Sequence, residues 1–75
     1  MKELLEALAR ELVTEPRRVS VEEYVEDGVT CLSLRVGRDD RGRVIGRNGR
    51  TAEALRILVE DVAEKHGIRC EVDVE

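Results

Sequence analysis

Two glycines three positions apart, Gly46 and Gly49, enclose Arg47 and Asn48; Arg43 and Arg50 lie just outside, and Val44 and Ile45 immediately precede them. Glycine lets a backbone approach a ligand closely. A helix expected to begin near residue 50 would present unpaired N–H groups and the positive end of its dipole to the same point. That is chemistry for a phosphate, and the three guanidinium groups reinforce it. Val44 and Ile45 add an apolar wall. A plain tight turn between helices needs the same glycines, so the rest of the chain must decide between the two.

Charge supports the phosphate reading once it is partitioned. The 75 residues carry a formal net charge of -4. Between Arg35 and Arg56, however, seven arginines face only Asp39, Asp40 and Glu53, a local balance of +4, while the remainder sets six basic against fourteen acidic residues, -8. Fields at physiological salt decay over about 8 Å, so a bound phosphate senses the segment and not the total.

Other chemistries lack their residues. There is no G-x-x-x-x-G-K-[ST] and no G-x-G-x-x-G. Cys31 and Cys70 have no CxxC spacing, and the single histidine, His66, completes no metal set with them. His66 falls in a helix's last turn, where a cation complements the dipole. No carboxylate sits in an apolar stretch that would raise its pKa. We therefore expect a non-enzyme with no catalytic residue, no metal, no cofactor and no small-molecule substrate. Tyr24 is the only aromatic residue, which excludes a surface that stacks bases on aromatic rings. The chain has room for one domain, residues 1–75. It shows neither a signal-peptide pattern nor a membrane-length apolar run, so a cytoplasmic location is expected, with no membrane partner.

The elements that must position this loop follow from periodicity. Leu4, Leu5, Ala7, Leu8, Leu12 and Val13 recur at helical spacing over residues 2–14, and Pro16 is expected to end that helix. Asp27-Gly28 predicts a type I′ hairpin pairing Glu26 with Val29, Val25 with Thr30, Glu23 with Leu32, Val21 with Leu34 and Val19 with Val36. One face then holds Val19, Val21, Val25, Leu32, Leu34 and Val36, with Glu23 the exception. The other holds Ser20, Glu22, Tyr24, Cys31, Ser33 and Arg35. Asp39 or Asp40 is expected to cap a short helical turn over residues 41–45. A long helix over about 50–66 should bury Ala52, Leu55, Leu58, Val59, Val62 and Ala63 and stop at Gly67. A last strand should turn Ile68, Cys70, Val72 and Val74 inward and Arg69, Glu71 and Asp73 outward, placing Cys31 and Cys70 on opposite faces and leaving both as free thiols. The fold class is α+β, in the order α-β-β-α-α-β, a three-stranded sheet covered on one face by helices.

At Val44-Ile45-Gly46-Arg47-Asn48-Gly49 the chain resembles the V-I-G-x-x-G signature of KH domains, and its element order is that of the type II fold. The run from Asp40 to Thr51 is more narrowly similar to the KhpA family of stand-alone bacterial KH proteins. The resemblance spans the whole chain. It implies single-stranded RNA as the partner, clamped by its backbone at Gly46, Arg47, Asn48 and Gly49, with Val44 and Ile45 lining a groove for bases and Arg43 and Arg50 adding charge. One departure is Ala52, where a large aliphatic residue is common; a shallow groove and loose base discrimination are expected. The resemblance further implies an RNA chaperone or post-transcriptional regulator, forming homodimers and heterodimers with a larger Jag-type KH protein in control of cell elongation and division.

An assembly module is the alternative reading. On the long helix, a stripe centred on Leu55, Leu58 and Val62 leaves Ile57 on the far side beside Ala54 and Asp61. These three residues are the expected dimer interface.

Overall fold

Asp27 and Gly28 reverse the chain with φ of 52° and 79°, the left-handed pair that a type I′ turn requires. In the computed structural model, which describes residues 1–75, they join β1 (Ser20–Glu26) to β2 (Val29–Arg35) in the expected register, with Val21 opposite Leu34, Glu23 opposite Leu32 and Glu26 opposite Val29. The third strand, β3 (Cys70–Val74), lies parallel to β2, giving the order β1-β2-β3. Three α-helices, α1 (Lys2–Leu12), α2 (Arg41–Ile45) and α3 (Arg50–Lys65), complete the α+β fold. None is long and apolar enough to cross a membrane.

The core lies between the helices and one sheet face, where Val19, Val21, Leu32, Leu34, Val36 and Val72 are buried against Leu5, Ala9, Val44, Leu55 and Val59. Alternation alone placed Val25 in that core, but Val25 is 70% exposed. The helices cover the Val19–Val21 end of the hairpin and stop short of its turn, so Glu23 and Val25 share the inward face without being enclosed. That also explains how Glu23 is accommodated.

The first helix ends at Leu12, short of the expected residue 14, and Val13 is already extended. Pro16 instead opens a single 3-10 turn, Pro16–Arg18. What fixes the chain after α1 is Asp40. Its carboxylate accepts the Thr14 N–H at 2.9 Å, the Thr14 hydroxyl at 2.9 Å and the Glu15 N–H at 3.1 Å, and Asp40 is fully buried. The expected cap on α2 is therefore corrected. Neither Asp39 nor Asp40 accepts a capping N–H bond there, because the Asp40 carboxylate is turned to the α1 exit.

Along α3 the buried residues are Leu55, Val59 and Ala63, with Ala52 and Val62 half-buried. Leu58, expected at the centre of the core stripe, is 48% exposed. At 100° per residue it lies 60° to one side of Leu55, whereas Val59 and Ala63 advance by 40° steps to the other, and the sheet sits on that other side. At the helix end, Ile68 N–H bonds the Ala63 carbonyl and Gly67 N–H the Glu64 carbonyl, both at 2.9 Å, with Gly67 at φ 73°. This is a Schellman ending, for which glycine is favoured. His66 is exposed, with Nδ1 2.9 Å from the Val62 carbonyl.

Candidate nucleic-acid interface

The expected loop forms between α2 and α3, and its glycines are there for separate reasons. Gly46 N–H closes α2 on the Gly42 carbonyl at 2.9 Å, then the chain leaves at φ 76°, ψ 175°, a region essentially restricted to glycine. A Cβ at Gly46 would also run into the Thr51 side chain. Loop and first turn of α3 are thus in direct contact. Asn48 and Gly49 follow at φ 57° and 73°, and Gly49 N–H bonds the Gly46 carbonyl at 3.1 Å. Around Gly49 there is open space, so its backbone conformation, not crowding, is what favours glycine.

The α3 N-terminus carries no side-chain cap. Its first N–H, on Arg50, bonds the Arg47 carbonyl, and Arg47, Asn48 and Arg50 are exposed. Arg43 is exposed as well, with Nε 3.8 Å from Asp40 Oδ1. Val44 departs from its expected part in a base groove. It is fully buried, so it supports the loop from beneath, and only Ile45, 39% exposed, offers apolar surface. Arg35 does not join this group, because it bonds Glu75 across the outer sheet face at 3.3 Å.

From the loop a cleft runs between α3 and the β3 edge, bounded by Ile45, Gly49, Ala52, Glu53 and Arg56 on one side and Asp73 and Val74 on the other. Arg56 also borders a second space with Glu60, Leu32 and Val72, which opens onto the outer sheet face at Glu22, Tyr24, Cys31, Ser33, Glu71 and Asp73. Glu60 Oε2 accepts the Val72 N–H at 3.0 Å. Sequence reasoning counted Arg56 only as charge and missed Glu60. The available signal was the spacing of Ala52, Arg56 and Glu60, four apart and so stacked on one helical face.

The uncovered sheet face has the opposite sign, with Glu22, Glu26, Glu71, Asp73 and Glu75 exposed. Ser33 Oγ, at 2.8 Å, and Arg35 hold the Glu75 carboxyl below the usual range. The Tyr24 phenol is pushed up by the neighbouring Cys31 side chain first, then by burial, with Glu26 and Asp73 adding to it. Cys31 and Cys70 are free thiols in register with Glu71 and Thr30 respectively, hence on opposite faces. Burial, then Glu60, raises the Cys70 thiol. No group of three potential metal ligands occurs.

A strand, two helices joined by G-x-x-G and a parallel return strand, preceded by a helix and a further strand, define a KH domain of type II topology. The chain belongs to the KhpA/KhpB KH-domain family, whose model matches residues 2–74. Among its relatives is "RNA-binding protein KhpA" of Clostridium perfringens, 39% identical over 74 residues and covering 99% of both chains. The KhpA of Halalkalibacterium halodurans is 42% identical over 74 residues, 99% of this chain and 97% of that one. That of Thermotoga maritima is 44% identical over 59 residues, 79% of each. Among solved structures, Aquifex aeolicus Era bound to GDP.AlF4- superposes with a TM-score of 0.69 over 97% of this chain and 28% of that one. At 15% identity, that likeness concerns the fold alone.

Proposed function

We propose that this protein binds single-stranded RNA, gripping the sugar-phosphate backbone at Gly46–Gly49 and laying bases along the cleft between α3 and β3. The observation that carries this reading is the loop itself, in which two glycines with positive φ hold exposed Arg47 and Asn48 in front of an uncapped helix N-terminus. Relatives named RNA-binding proteins support it. We read the small Ala52 side chain on the cleft wall as giving bases little to grip, so that backbone contacts dominate affinity and base preference is modest. The proposal extends to a non-catalytic role as an RNA chaperone or post-transcriptional regulator, working in the cytoplasm with a Jag-type KH partner in control of cell elongation and division.

The test replaces Arg47 and Asn48 together with Asp. Asp tolerates the left-handed backbone at position 48, so the loop should still fold while two carboxylates take the place of phosphate-binding groups. Affinity for a labelled oligonucleotide, read by fluorescence anisotropy, should fall at least about tenfold, roughly 1.4 kcal/mol. Unchanged affinity in a folded double variant overturns the clamp assignment.

A second reading, assembly through α3, is favoured by the exposure of Ile57, at 52%, and Leu58. Ile57 has the surface position expected of it, beside exposed Ala54 and Asp61. Leu58 opens instead onto an apolar groove shared with Leu8, Leu12 and Ala54.

A further inference from the structure

We infer that the outer edge of β1 is a docking site for an extended basic segment of another protein, which adds to the sheet as a fourth strand. The inference stands apart from the RNA-binding reading, because it concerns the sheet edge opposite the one that borders the α3–β3 cleft.

In an antiparallel pair, opposed residues alternate between those that exchange both backbone bonds and those that exchange none. A two-residue turn makes its flanking pair, Glu26 and Val29, a bonded one, and so are Tyr24 with Cys31 and Glu22 with Ser33. The N–H and C=O groups of Val21, Glu23 and Val25 therefore point away from β2. Their opposite numbers on β2 agree with this phase, since the Thr30 N–H bonds the Arg69 carbonyl and the Leu34 carbonyl accepts the Glu75 N–H, both on the β3 side.

The two edges of the sheet differ in what covers them. On β3 the outward Val72 N–H is taken by Glu60 Oε2 at 3.0 Å. On β1 the Pro16 carbonyl takes the Val19 N–H at 3.1 Å. Beyond Val19, no side chain or loop bonds the outward groups of Val21, Glu23 and Val25. Such a row of unpaired donors and acceptors is a template for another strand.

Charge decides the occupant. Residues 20–28 contain Glu22, Glu23, Glu26 and Asp27 and no basic residue; all four are exposed and none is in an ion pair. A second copy pairing here would set carboxylate against carboxylate, which is unfavourable for directly opposed residues. Nucleic acid and anionic lipid are repelled by the same groups. A strand carrying Lys or Arg at the opposed positions is attracted instead, so the carboxylates that exclude copies of this chain also select its partner. Val25, 70% exposed, and Tyr24, 53% exposed, supply apolar contact that a purely repulsive edge would not need, and the Tyr24 ring can face a cation.

The probe is a labelled peptide, Lys-Val-Lys-Lys-Lys-Val-Thr, which in antiparallel register sets lysine against Glu26, Tyr24, Glu23 and Glu22, and valine against Val25 and Val21. The control, Val-Val-Thr-Lys-Lys-Lys-Lys, has the same composition without the pattern. On the full chain the patterned peptide should bind at least about tenfold more tightly by fluorescence anisotropy, the equivalent of one or two hydrogen bonds. Amide hydrogen exchange followed by NMR should slow at Val21, Glu23 and Val25 on binding, while Glu22 and Tyr24, already bonded to β2, change little. Val25→Pro removes one outward N–H and no charge, at an edge position where proline is tolerated. Its affinity for the patterned peptide should fall about threefold to tenfold, with the control peptide unaffected. Equal affinities for the two peptides, binding without slowed exchange at those three amides, or no binding at millimolar peptide overturns the inference. Should Val25→Pro not fold, the exchange pattern of wild type decides alone. RNA binding at the loop is untouched by any of these outcomes.

Discussion

Asp40 closes on Thr14 across 26 positions of sequence, accepting both its backbone N–H and its hydroxyl at 2.9 Å. The contact ties the exit of α1 to the residue that precedes α2, and so fixes the segment that presents the loop. Hydrogen bonding from Thr14 holds the Asp40 carboxyl below the usual carboxylate range, against burial, which pushes it up.

Asp40→Asn should therefore lower the melting temperature by about 5–10 °C at pH 7, because an amide replaces one acceptor with a donor where three donors converge. The pH dependence follows from the depressed pKa. The contribution is complete above the unfolded-state value of about 3.9 and is lost as pH falls through the lower folded value. Melts from pH 7 down to 2 should show wild type losing its advantage over Asp40→Asn below about pH 4. A constant difference across that range contradicts the assignment.

Gly46→Ala and Gly49→Ala should differ although both glycines have positive φ. At Gly49 an added Cβ meets open space, leaving a backbone penalty of about 1 kcal/mol. At Gly46 the same Cβ runs into Thr51, so the loop or the first turn of α3 must shift. Thermal melts should place Gly46→Ala well below Gly49→Ala, and equal melting temperatures would refute the crowding argument.

RNA affinity should fall with salt at a log-log slope of about -0.7 per neutralised phosphate. Two or three contacts at the loop give roughly -1.4 to -2.1. Arg47→Ala should flatten the slope by about 0.7. A salt-independent affinity would place the contacts elsewhere.

If α3 mediates assembly, Ile57→Asp should give a folded monomer, since a twofold contact sets two like charges against each other. Leu58→Asp probes the groove that α1 and α3 share. Sedimentation equilibrium distinguishes the surfaces, and wild type that is monomeric at high micromolar concentration excludes both.

Much of this fold is legible along the chain because its signals are local. The Asp27-Gly28 turn sets the register, and the glycine pair marks the break between α2 and α3. What escapes is contact at a distance. Asp40 has the spacing of a helix cap, but its partners at Thr14 and Glu15 are remote in sequence. Leu58 shares a helical period with the core, but only the sheet's position shows that the core lies toward Val59 and Ala63. Val44 reads as groove lining beside Ile45, yet neighbours in a helix point about 100° apart, and only one of them reaches the surface. Glu60 is silent in sequence because its partner is a backbone N–H of another element.

The uncovered acidic sheet face has a further consequence for encounter. With carboxylates at Glu22, Glu26, Glu71, Asp73 and Glu75 on one side and the exposed arginines of the loop on another, the molecule behaves as a compass needle in the field of a polyanion. An approaching strand repels the sheet side and attracts the loop side within a Debye length of about 8 Å, turning the domain before contact is made. An acidic protein thus meets its own kind of charge while forgoing the indiscriminate adhesion that a uniformly basic surface would bring.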